Sequence, residues 1–337
     1  KKRRSFSTRK KSLNILFITN YEKKYGIGHL NRCNKLAKKI KKGNKIFFLV
    51  DKIDKNLPRL IIKNSTIITK KNIFNSGDKI FKIIKNLKNP IVIIDSYLSN
   101  LKFEKKISPY CKKLIVIDDL KKKHFCDIYI NPNFLNFKFA SKITANMKLL
   151  GPKYAFIDPN IKKKNNKKIK SNTIKNILVF MGATDSRNLS VKIYNALKDK
   201  NITKLNFKFI IGCNNDSLKN IKKENELKNV RFQVFSKNFT KHLNKADIFI
   251  SSGGSSIWES IFLNKKTLIF NHSWKQFENS FNLEKKGIIK VFKKKLKSQN
   301  IIDFLITEID SSNKDIFKYN NLIDSKGIDR IVKKISK

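Results

Sequence analysis

The sequence predicts an α/β fold of two Rossmann-like domains, each with a doubly wound parallel sheet, that face each other across a cleft. Two observations support this prediction. Short apolar runs rich in Ile, Val and Phe alternate with segments whose apolar residues recur every three or four positions, as parallel strands alternate with helices. A Lys- and Asn-rich stretch after Pro159 interrupts this alternation, and a similar alternation follows it. With 337 residues, the chain is long enough for two hydrophobic cores.

The first domain is predicted at residues 13–158, after a basic and disordered tail at 1–12. Leu13 to Thr19 is its first buried strand, and a polar loop with two glycines leads to a helix over 29–42. The other predicted elements of this domain are the helix 78–87 and the strands 45–50, 91–95, 114–118 and 126–132.

The second domain is predicted at 176–295, after a linker at 159–175, and a helical segment at 296–337 follows it. Folds of this class bind ligands at the carboxyl ends of their strands, so we expect the site in the cleft between the domains. The predicted strands of the second domain are 176–181, 207–211, 230–234, 247–251 and 267–270, and two of its predicted helices are 188–197 and 276–286.

The net charge is strongly positive, and we attribute it to composition rather than to a nucleic-acid surface. The chain has 76 Lys and Arg against 25 Asp and Glu, a formal net charge of +51, but eight of the 76 are Arg. Proteins that recognise phosphates or bases rely on the bidentate guanidinium group of Arg. Abundant Lys, Asn and Ile instead indicate AT-rich codons, so we expect no nucleic-acid partner.

Cysteine and histidine spacing gives no signature of a metal site or a disulfide framework. The four Cys include no CxxC pair, and the four His form no HxxxH or HExxH pattern. No apolar stretch reaches the about 18 residues of a membrane span. We therefore expect a cytoplasmic monomer with no metal, no cofactor and no stable membrane insertion.

The first segment that carries chemistry is Gly26-Ile27-Gly28-His29, between the first strand and the first helix. Glycines there let the backbone turn sharply and approach a ligand closely. A histidine in the first helical turn lies at the positive end of the helix dipole, which favours the neutral imidazole that a general base needs. The alternative is a surface or N-cap histidine beside a structural turn. Arg32, on the same face, is expected to meet an anionic substrate group or to be a solvated cation.

The second segment, Gly182-Ala183-Thr184-Asp185, follows the first strand of the second domain. Its small residues are consistent with a loop that faces a nucleotide, and Gly182 and Asp185 are the candidate contacts. The alternative is a tight turn in which Asp185 or Asn188 caps the next helix.

The third segment, Ser251 to Glu259 (SSGGSSIWE), joins a strand to a helix. Backbone N–H groups and serine hydroxyls at such a position suit a diphosphate, and a carboxylate one turn into the helix can accept both hydroxyls of a ribose. The alternative is a capping box with Ser255 or Ser256 as N-cap and Glu259 near its third position. The candidate nucleotide contacts are Ser252, Gly253, Gly254, Ser255, Ser256 and Glu259.

Seven segments occur in an order and spacing that resemble one enzyme family. They are GIGHLNRC (26–33), IDSY (94–97), IDDL (117–120), CDIYIN (126–131), LLGPKYAF (149–156), GATD (182–185) and ISSGGSSIWE (250–259). The family is the UDP-2,4-diacetamido-2,4,6-trideoxy-β-L-altropyranose hydrolase of pseudaminic acid biosynthesis. More widely, the chain is similar to GT-B glycosyltransferases such as the peptidoglycan N-acetylglucosaminyltransferase. Ala183 departs from the family pattern, which has a second glycine there.

The resemblance implies a metal-independent hydrolysis in which water attacks the anomeric carbon, UDP leaves and the configuration inverts. His29 matches the catalytic base of the family, and Tyr97 matches an aromatic hydroxyl near the sugar, with strand-end packing as its alternative. Ser255 and Glu259 match positions that hold UDP. Gln276 lies where a loop meets the diphosphate or the sugar, unless it caps its helix. Further candidate substrate contacts are Gly26, Gly28, Arg32 and Asn131.

The expected partners are therefore a UDP-sugar and water, and the freed sugar is expected to feed the synthesis of a nonulosonic acid for surface glycans. Two alternatives remain. A GT-B glycosyltransferase would move the sugar from its UDP donor to an acceptor. A basic protein that binds nucleic acid or a membrane surface is disfavoured by the scarcity of Arg and the lack of an RNA-recognition or helix-turn-helix signature.

Overall fold

The structure is a computed structural model of the chain. It describes residues 12–21, 27–53, 57–75, 77–120, 122–134, 143–158, 160–163, 175–200, 205–212, 215–234, 239–271, 274–311 and 322–336. The predicted tail at 1–12, except for its last residue, and most of the predicted linker at 159–175 lie outside the described residues.

The first domain contains a sheet of seven parallel strands in the order β3-β2-β1-β4-β5-β6-β7. The strands are β1 (Asn14–Thr19), β2 (Lys45–Val50), β3 (Ser65–Thr69), β4 (Ile91–Asp95), β5 (Lys113–Ile117), β6 (Phe125–Asn131) and β7 (Thr144–Leu150). The helices between them are α1 (Gly28–Ile40), α2 (Leu57–Leu60), α3 (Gly77–Asn86) and α4 (Leu101–Ile107), and two short 3₁₀ turns are Ser108–Tyr110 and Pro152–Tyr154.

The second domain contains a sheet of six parallel strands in the order β10-β9-β8-β11-β12-β13. The strands are β8 (Lys175–Phe180), β9 (Leu205–Ile211), β10 (Val230–Val234), β11 (Ile248–Ser251), β12 (Lys266–Ile269) and β13 (Lys290–Val291). The described helices of this half of the chain are α5 (Leu189–Lys200), α6 (Asp216–Lys223), α7 (Phe239–Lys245), α8 (Ser256–Phe262), α9 (Trp274–Lys285), α10 (Ser298–Asp310) and α11 (Gly327–Ile335).

The prediction of two doubly wound parallel-sheet domains is confirmed. The central strands are those with uninterrupted apolar sequence, and β1 and β4 are buried almost throughout. The strands that the sequence analysis did not predict lie at or near sheet edges, where one side is less covered. β3 and β7 are both of this kind and are mixed in polarity and only partly buried.

The order of the strands reverses between β1 and β4, which lie side by side although two strands separate them along the chain. Thr19 at the end of β1 pairs with Asp95 at the end of β4. A reversal of this type opens a crevice at the carboxyl ends of the strands. The loop before α1 therefore leads into this crevice.

The last helix, α11, packs against the first domain rather than the second. Ile328, Ile331 and Ile335 are buried in the same hydrophobic cluster as Ile15 and Phe17 of β1. Gly327 begins this helix so close to the Pro152–Tyr154 turn that a Cβ atom there would lie 2.3 Å from the carbonyl oxygen of Ala155. Within the described parts of the chain, every helix is too short or too polar to cross a membrane.

Candidate functional site

His29 lies in the first turn of α1 with its imidazole turned towards the end of β4. Its Nδ1 atom is 2.6 Å from Oδ1 of Asp95, and the two side chains are 6% and 0% exposed. A carboxylate at this distance accepts the Nδ1–H hydrogen bond and leaves Nε2 as the nitrogen with a free lone pair. The histidine is therefore held in the tautomer that a general base requires, and it is neither a surface residue nor an N-cap.

Arg32, one turn further along α1, is buried between two carboxylates. Its Nε and Nη2 atoms donate to the two oxygens of Asp95 at 2.7 and 2.6 Å, and Nη1 donates to Oδ2 of Asp119 at 2.5 Å. Burial alone would raise the pKa of Asp95, but the charge of Arg32 and the contact with His29 lower it below its ordinary value. Asp95 is thus an anion, and Arg32 is a fixed structural cation rather than a solvated one.

Tyr97 follows β4 and packs against the catalytic candidate. Its ring meets the ring of His29 edge to face, with 4.3 Å between the centroids. Burial, and next to it the charge of Asp119, raise the pKa of Tyr97 above its ordinary value, so the phenol stays protonated at neutral pH. A protonated phenol is a hydrogen-bond donor, which is the property that a contact with a sugar oxygen would need.

The loop between β11 and α8 is shaped by close packing of its glycines and serines. Gly253 has a φ of +89°, and a Cβ atom there would lie 2.9 Å from Oγ of Ser280. The hydroxyl of Ser252 is buried and donates to the carbonyl of Met181, which joins this loop to the end of β8.

Ser255 is exposed, and its side chain makes no capping hydrogen bond to α8. The capping-box alternative is therefore wrong for Ser255, whose hydroxyl remains available. Gly254 and Ser256 are partly exposed in the same loop.

Glu259 lies one turn into α8 and faces the first domain. Its Oε1 atom is 2.6 Å from Nζ of Lys35 on α1, and it also accepts the backbone N–H of Asp158 at 3.2 Å. The side chain is 5% exposed. The carboxylate therefore lies at the junction of the two domains and not on an outer surface of the second.

In the turn after β8, the carboxylate of Asp185 caps the N-terminus of helix α5. Gly182 has a φ of +91°, and Asp185, which is buried, accepts the backbone N–H groups of Leu189 and Ser190, both at 2.8 Å. Asp185 thus has the capping role that the sequence left open as an alternative. Gly182 is near the third segment, since a Cβ atom there would be 4.0 Å from Oγ of Ser252.

Asn131 lies at the end of β6 and is fully buried. Its Nδ2 atom donates to the hydroxyl of Tyr129 at 3.1 Å, and its Oδ1 atom accepts the backbone N–H of Asn133 at 2.9 Å. Asn131 lies two strands beyond β4 in the sheet, so it is not brought into the cluster around His29. Gly28 is exposed at the start of α1. Gly26 and the side chain of Gln276, which is part of α9, lie outside what the structure describes.

The sequence analysis did not select three residues that complete the site: Asp95, Asp119 and Lys35. The signal for Asp95 was present, because a carboxylate that ends the apolar run IVIID lies at the ligand-binding edge of a parallel sheet. Asp119, two residues past β5, has the same signal. Lys35 had none, since nothing distinguishes it from the other lysines of α1 before the domains are placed together.

The two domains also meet away from this ion pair. The backbone N–H of Phe134 donates to Oδ1 of Asn279 at 3.4 Å, and Nδ2 of Asn282 donates to the carbonyl of Phe134 at 3.2 Å. Helix α1, which carries the candidate base, and helix α8, which follows the serine- and glycine-rich loop, therefore meet across the same domain interface through Lys35 and Glu259. Across the described ranges, no group of His, Cys, Asp and Glu side chains is arranged to hold a metal ion.

Residues 176–334 match the model of the glycosyltransferase family 28 C-terminal domain. Two relatives are similar over most of this chain. The uncharacterized protein MJ1062 of Methanocaldococcus jannaschii is 28% identical over 267 residues, 74% of this chain and 54% of the relative, so the chain spans about half of that protein. The UDP-2,4-diacetamido-2,4,6-trideoxy-β-L-altropyranose hydrolase of Campylobacter jejuni is 25% identical over 283 residues, 82% of this chain and 97% of the relative.

Solved structures share the whole fold at low sequence identity. MurG of Acinetobacter baumannii has a TM-score of 0.69 at 15% identity, covering 96% of this chain and 99% of that one. The UDP-GlcNAc 2-epimerase of Neisseria meningitidis bound to UDP-GlcNAc has a TM-score of 0.64 at 12% identity, covering 96% and 99%. The chain therefore has the two-domain GT-B fold, with a second domain that matches glycosyltransferase family 28.

Proposed function

We propose that this protein is a hydrolase that cleaves a UDP-sugar at the anomeric carbon with inversion and releases UDP and the free sugar. The observation that carries the proposal is the buried contact between His29 Nδ1 and Asp95, which holds the Nε2 lone pair for a water molecule in the interdomain cleft. A hydrolase needs a general base that removes a proton from the attacking water, and Nε2 of His29 can do this.

Water attacks the anomeric carbon, and Nε2 of His29 takes one of its protons. The bond between that carbon and the diphosphate oxygen breaks, and UDP leaves with the electron pair. Asp95 stabilises the imidazolium formed, because it is an anion 2.6 Å from Nδ1. Tyr97 and Gly28 are proposed to contact the sugar, and Gly26 and Gln276 remain candidates for the same role.

The nucleotide is proposed to bind to the second domain. Glu259 accepts a ribose hydroxyl, and Ser255 with the neighbouring backbone N–H groups meets the diphosphate, whose charge they offset as the bond breaks. This proposal uses no metal and no cofactor. Further proposed contacts in the same loops are Gly182, Ser252, Gly253, Gly254 and Ser256.

The relatives support this choice of substrate. The Campylobacter jejuni protein is named as a hydrolase of UDP-2,4-diacetamido-2,4,6-trideoxy-β-L-altropyranose, and one structural neighbour is bound to UDP-GlcNAc. We take the diacetamido-trideoxy sugar as the first substrate to test. The freed sugar would feed the synthesis of a nonulosonic acid for surface glycans. The enzyme is proposed to be a cytoplasmic monomer.

The test measures UDP release from this UDP-sugar in buffer that contains EDTA. We expect turnover by the wild-type protein, and a loss of at least about 10²-fold in kcat for His29→Phe with UDP binding retained. His242→Gln, which replaces a histidine of the second domain outside the cleft, is the matched control and should keep wild-type turnover. No UDP release by the wild-type protein, or full activity of His29→Phe, would sink the proposal.

A glycosyltransferase is the second candidate function, and the match to glycosyltransferase family 28 with the likeness to MurG favours it. Such an enzyme would pass the sugar to an acceptor hydroxyl in place of water. Assays with and without candidate acceptors separate the two functions. UDP release that is slow with the UDP-sugar alone and rises at least about tenfold with an acceptor identifies a transferase.

A further inference from the structure

Lys35 and Glu259 form an ion pair between the two domains. Lys35 Nζ lies 2.6 Å from Glu259 Oε1 and donates a second hydrogen bond, of 3.0 Å, to the carbonyl of Phe156. The backbone N–H of Asp158 donates to the same carboxylate oxygen at 3.2 Å. Helix α1, the segment after the first sheet and helix α8 therefore meet at Oε1 of Glu259.

The two oxygens of the Glu259 carboxylate have different surroundings. Oε1 accepts both of the hydrogen bonds described above, whereas Oε2 has no hydrogen-bond partner among the residues that the structure describes. A carboxylate that is 5% exposed is costly to keep ionised without a cation beside it. Lys35 supplies that cation and fixes the side chain, which leaves Oε2 as the oxygen for a ligand.

Lys35 also lies on the helix that carries His29 and Arg32. The three residues are spaced three apart and follow adjacent positions along one side of α1. His29 and Arg32 form hydrogen bonds with Asp95 at the carboxyl end of β4, whereas Lys35 contacts Glu259 of the second domain. One helix therefore connects the candidate base to the carboxylate of α8.

We propose that Lys35 is a positioning residue for the nucleotide: it acts through Glu259 and holds Oε2 towards a ribose hydroxyl. The inference rests on the proposed function, because it takes Glu259 as the ribose contact. Hydrogen bonds to an ionised acceptor are stronger than those to a neutral one, and a fixed rotamer avoids the entropy of ordering it on binding. Lys35 itself does not touch the nucleotide.

The experiment compares the binding of UDP and of 2′,3′-dideoxy-UDP by isothermal titration calorimetry. The wild-type protein is expected to bind UDP at least about tenfold more tightly, because the dideoxy compound lacks both hydroxyl donors. In Lys35→Met this ratio should fall below about threefold, as it should in Glu259→Gln, and the double variant should lose nothing further. Lys35→Arg, which keeps the positive charge, should retain most of the ratio.

Lys39→Met is the matched control. Lys39 lies four residues further along α1 and forms an exposed ion pair of 2.8 Å with Asp329 of α11. Its loss removes a salt bridge from the same helix without reaching Glu259, so the ratio should stay at the wild-type value. A purely structural link between the domains would lower the melting temperature of Lys35→Met and leave the ratio unchanged.

The outcomes separate the inference from the proposed function. If Lys35→Met folds and keeps the wild-type ratio, the inference is overturned and UDP binding stands. If the wild-type protein binds both nucleotides equally, Glu259 is not a ribose contact and the inference fails with it. If the wild-type protein binds no UDP, the proposed function fails as well. Lys35→Gln is the second neutral variant and decides the comparison if the methionine variant does not fold.

Discussion

The hydrogen bond between Asp95 and His29 determines which nitrogen of the histidine faces the cleft. Asp95 also receives two hydrogen bonds from Arg32, so both of its oxygens are fixed. The pKa of Arg32 is itself raised: burial would lower it, but the charges of Asp119 and Asp95 outweigh burial. These three buried residues fix one another's positions through direct hydrogen bonds.

Replacing Asp95 by Asn tests this unit. The amide cannot stabilise the imidazolium, and it no longer selects the tautomer with a proton on Nδ1. We expect kcat for UDP release to fall by about 10²-fold or more, with the Kd for UDP unchanged.

Asp127→Asn is the control for this substitution, because Asp127 is a carboxylate of the same sheet that accepts the backbone N–H of Leu114 away from the cleft. Equal losses of kcat in the two variants would show that Asp95 has no special role in turnover.

A second buried histidine of the first domain is bonded at both ring nitrogens. Nδ1 of His124 is 2.8 Å from Oε1 of Glu104, and Nε2 is 3.1 Å from Oδ2 of Asp118. Burial alone would lower the pKa of His124, but the hydrogen bonds to Asp118 and Glu104 raise it to about 9. The histidine is therefore a buried cation at neutral pH.

This cation makes stability depend on pH. Because the pKa of His124 in the folded protein exceeds its ordinary value, its contribution is complete below about pH 6.5 and is lost as the pH rises through about 9. We expect on the order of 3 kcal/mol of the free energy of unfolding to disappear over this range. Urea unfolding at several pH values measures it. His124→Gln, which cannot titrate, should lose much less, and a parallel loss in both proteins would contradict the assignment.

At the scale of elements, the loop between β11 and α8 owes its path to Gly253. This residue combines a left-handed backbone with close neighbours, because a Cβ atom would lie 2.9 Å from Oγ of Ser280 and 3.1 Å from Oδ1 of Asn271. Neither feature alone would require glycine so strongly. The loop therefore has little freedom to move away from the place proposed for the diphosphate.

Gly253→Ala should destabilise the protein by more than Gly43→Ala. Gly43 also has a positive φ, of +77°, but nothing lies within 4 Å of the added Cβ, so it carries the backbone strain of about 1–2 kcal/mol alone. Urea unfolding of both variants gives the difference. We also expect weaker UDP binding in Gly253→Ala only. Equal destabilisation by the two substitutions would mean that the Ser280 and Asn271 side chains move away from the added Cβ atom without loss of folding free energy.

The sequence predicted the central elements well because their residues specify them locally. The predicted strand 91–95 coincides with β4, and the predicted helix at 29–42 differs from α1 by one or two residues at each end. β3, by contrast, is a five-residue strand at a sheet edge with two apolar residues between threonines, and this short, partly exposed run gives little signal.

The residues of the candidate site also differ in how well the sequence predicted them. His29 and Glu259 were predicted because each lies in the first turn of a helix that follows a loop with glycines or serines. Asp95 was not selected, although it lay within the IDSY segment, because its role depends on the pairing of β4 with β1. Lys35 could not be found without the arrangement of the two domains.

At the scale of the whole molecule, the net charge of +51 is expected to lower the stability of the folded protein, whichever partners it binds. Described acidic side chains in the first domain are often already engaged, as Asp95 and Asp119 are with Arg32. Across the whole sequence, 76 basic residues outnumber the 25 acidic residues that could neutralise them by about three to one. A large net charge of one sign destabilises a compact state through self-repulsion, and salt screens that repulsion.

The melting temperature should therefore rise when KCl is increased from about 20 mM to about 300 mM, where the Debye length falls below about 10 Å. We expect an increase of roughly 2 °C, as about 1–2 kcal/mol of repulsion is removed. Differential scanning calorimetry measures it. Buried pairs such as Lys35 with Glu259 are screened little, so they should not offset the gain. A melting temperature that falls with salt would show that favourable ion pairs outweigh the repulsion.

The packing of α11 has a consequence for the order in which this protein is made. Ile328, Ile331 and Ile335 complete the core around β1, yet the ribosome synthesises them after the entire second sheet. The first domain cannot close its core while it is the only part of the chain outside the ribosome. The core of the first domain is therefore expected to reach its native packing only after the strands of the second sheet have been made.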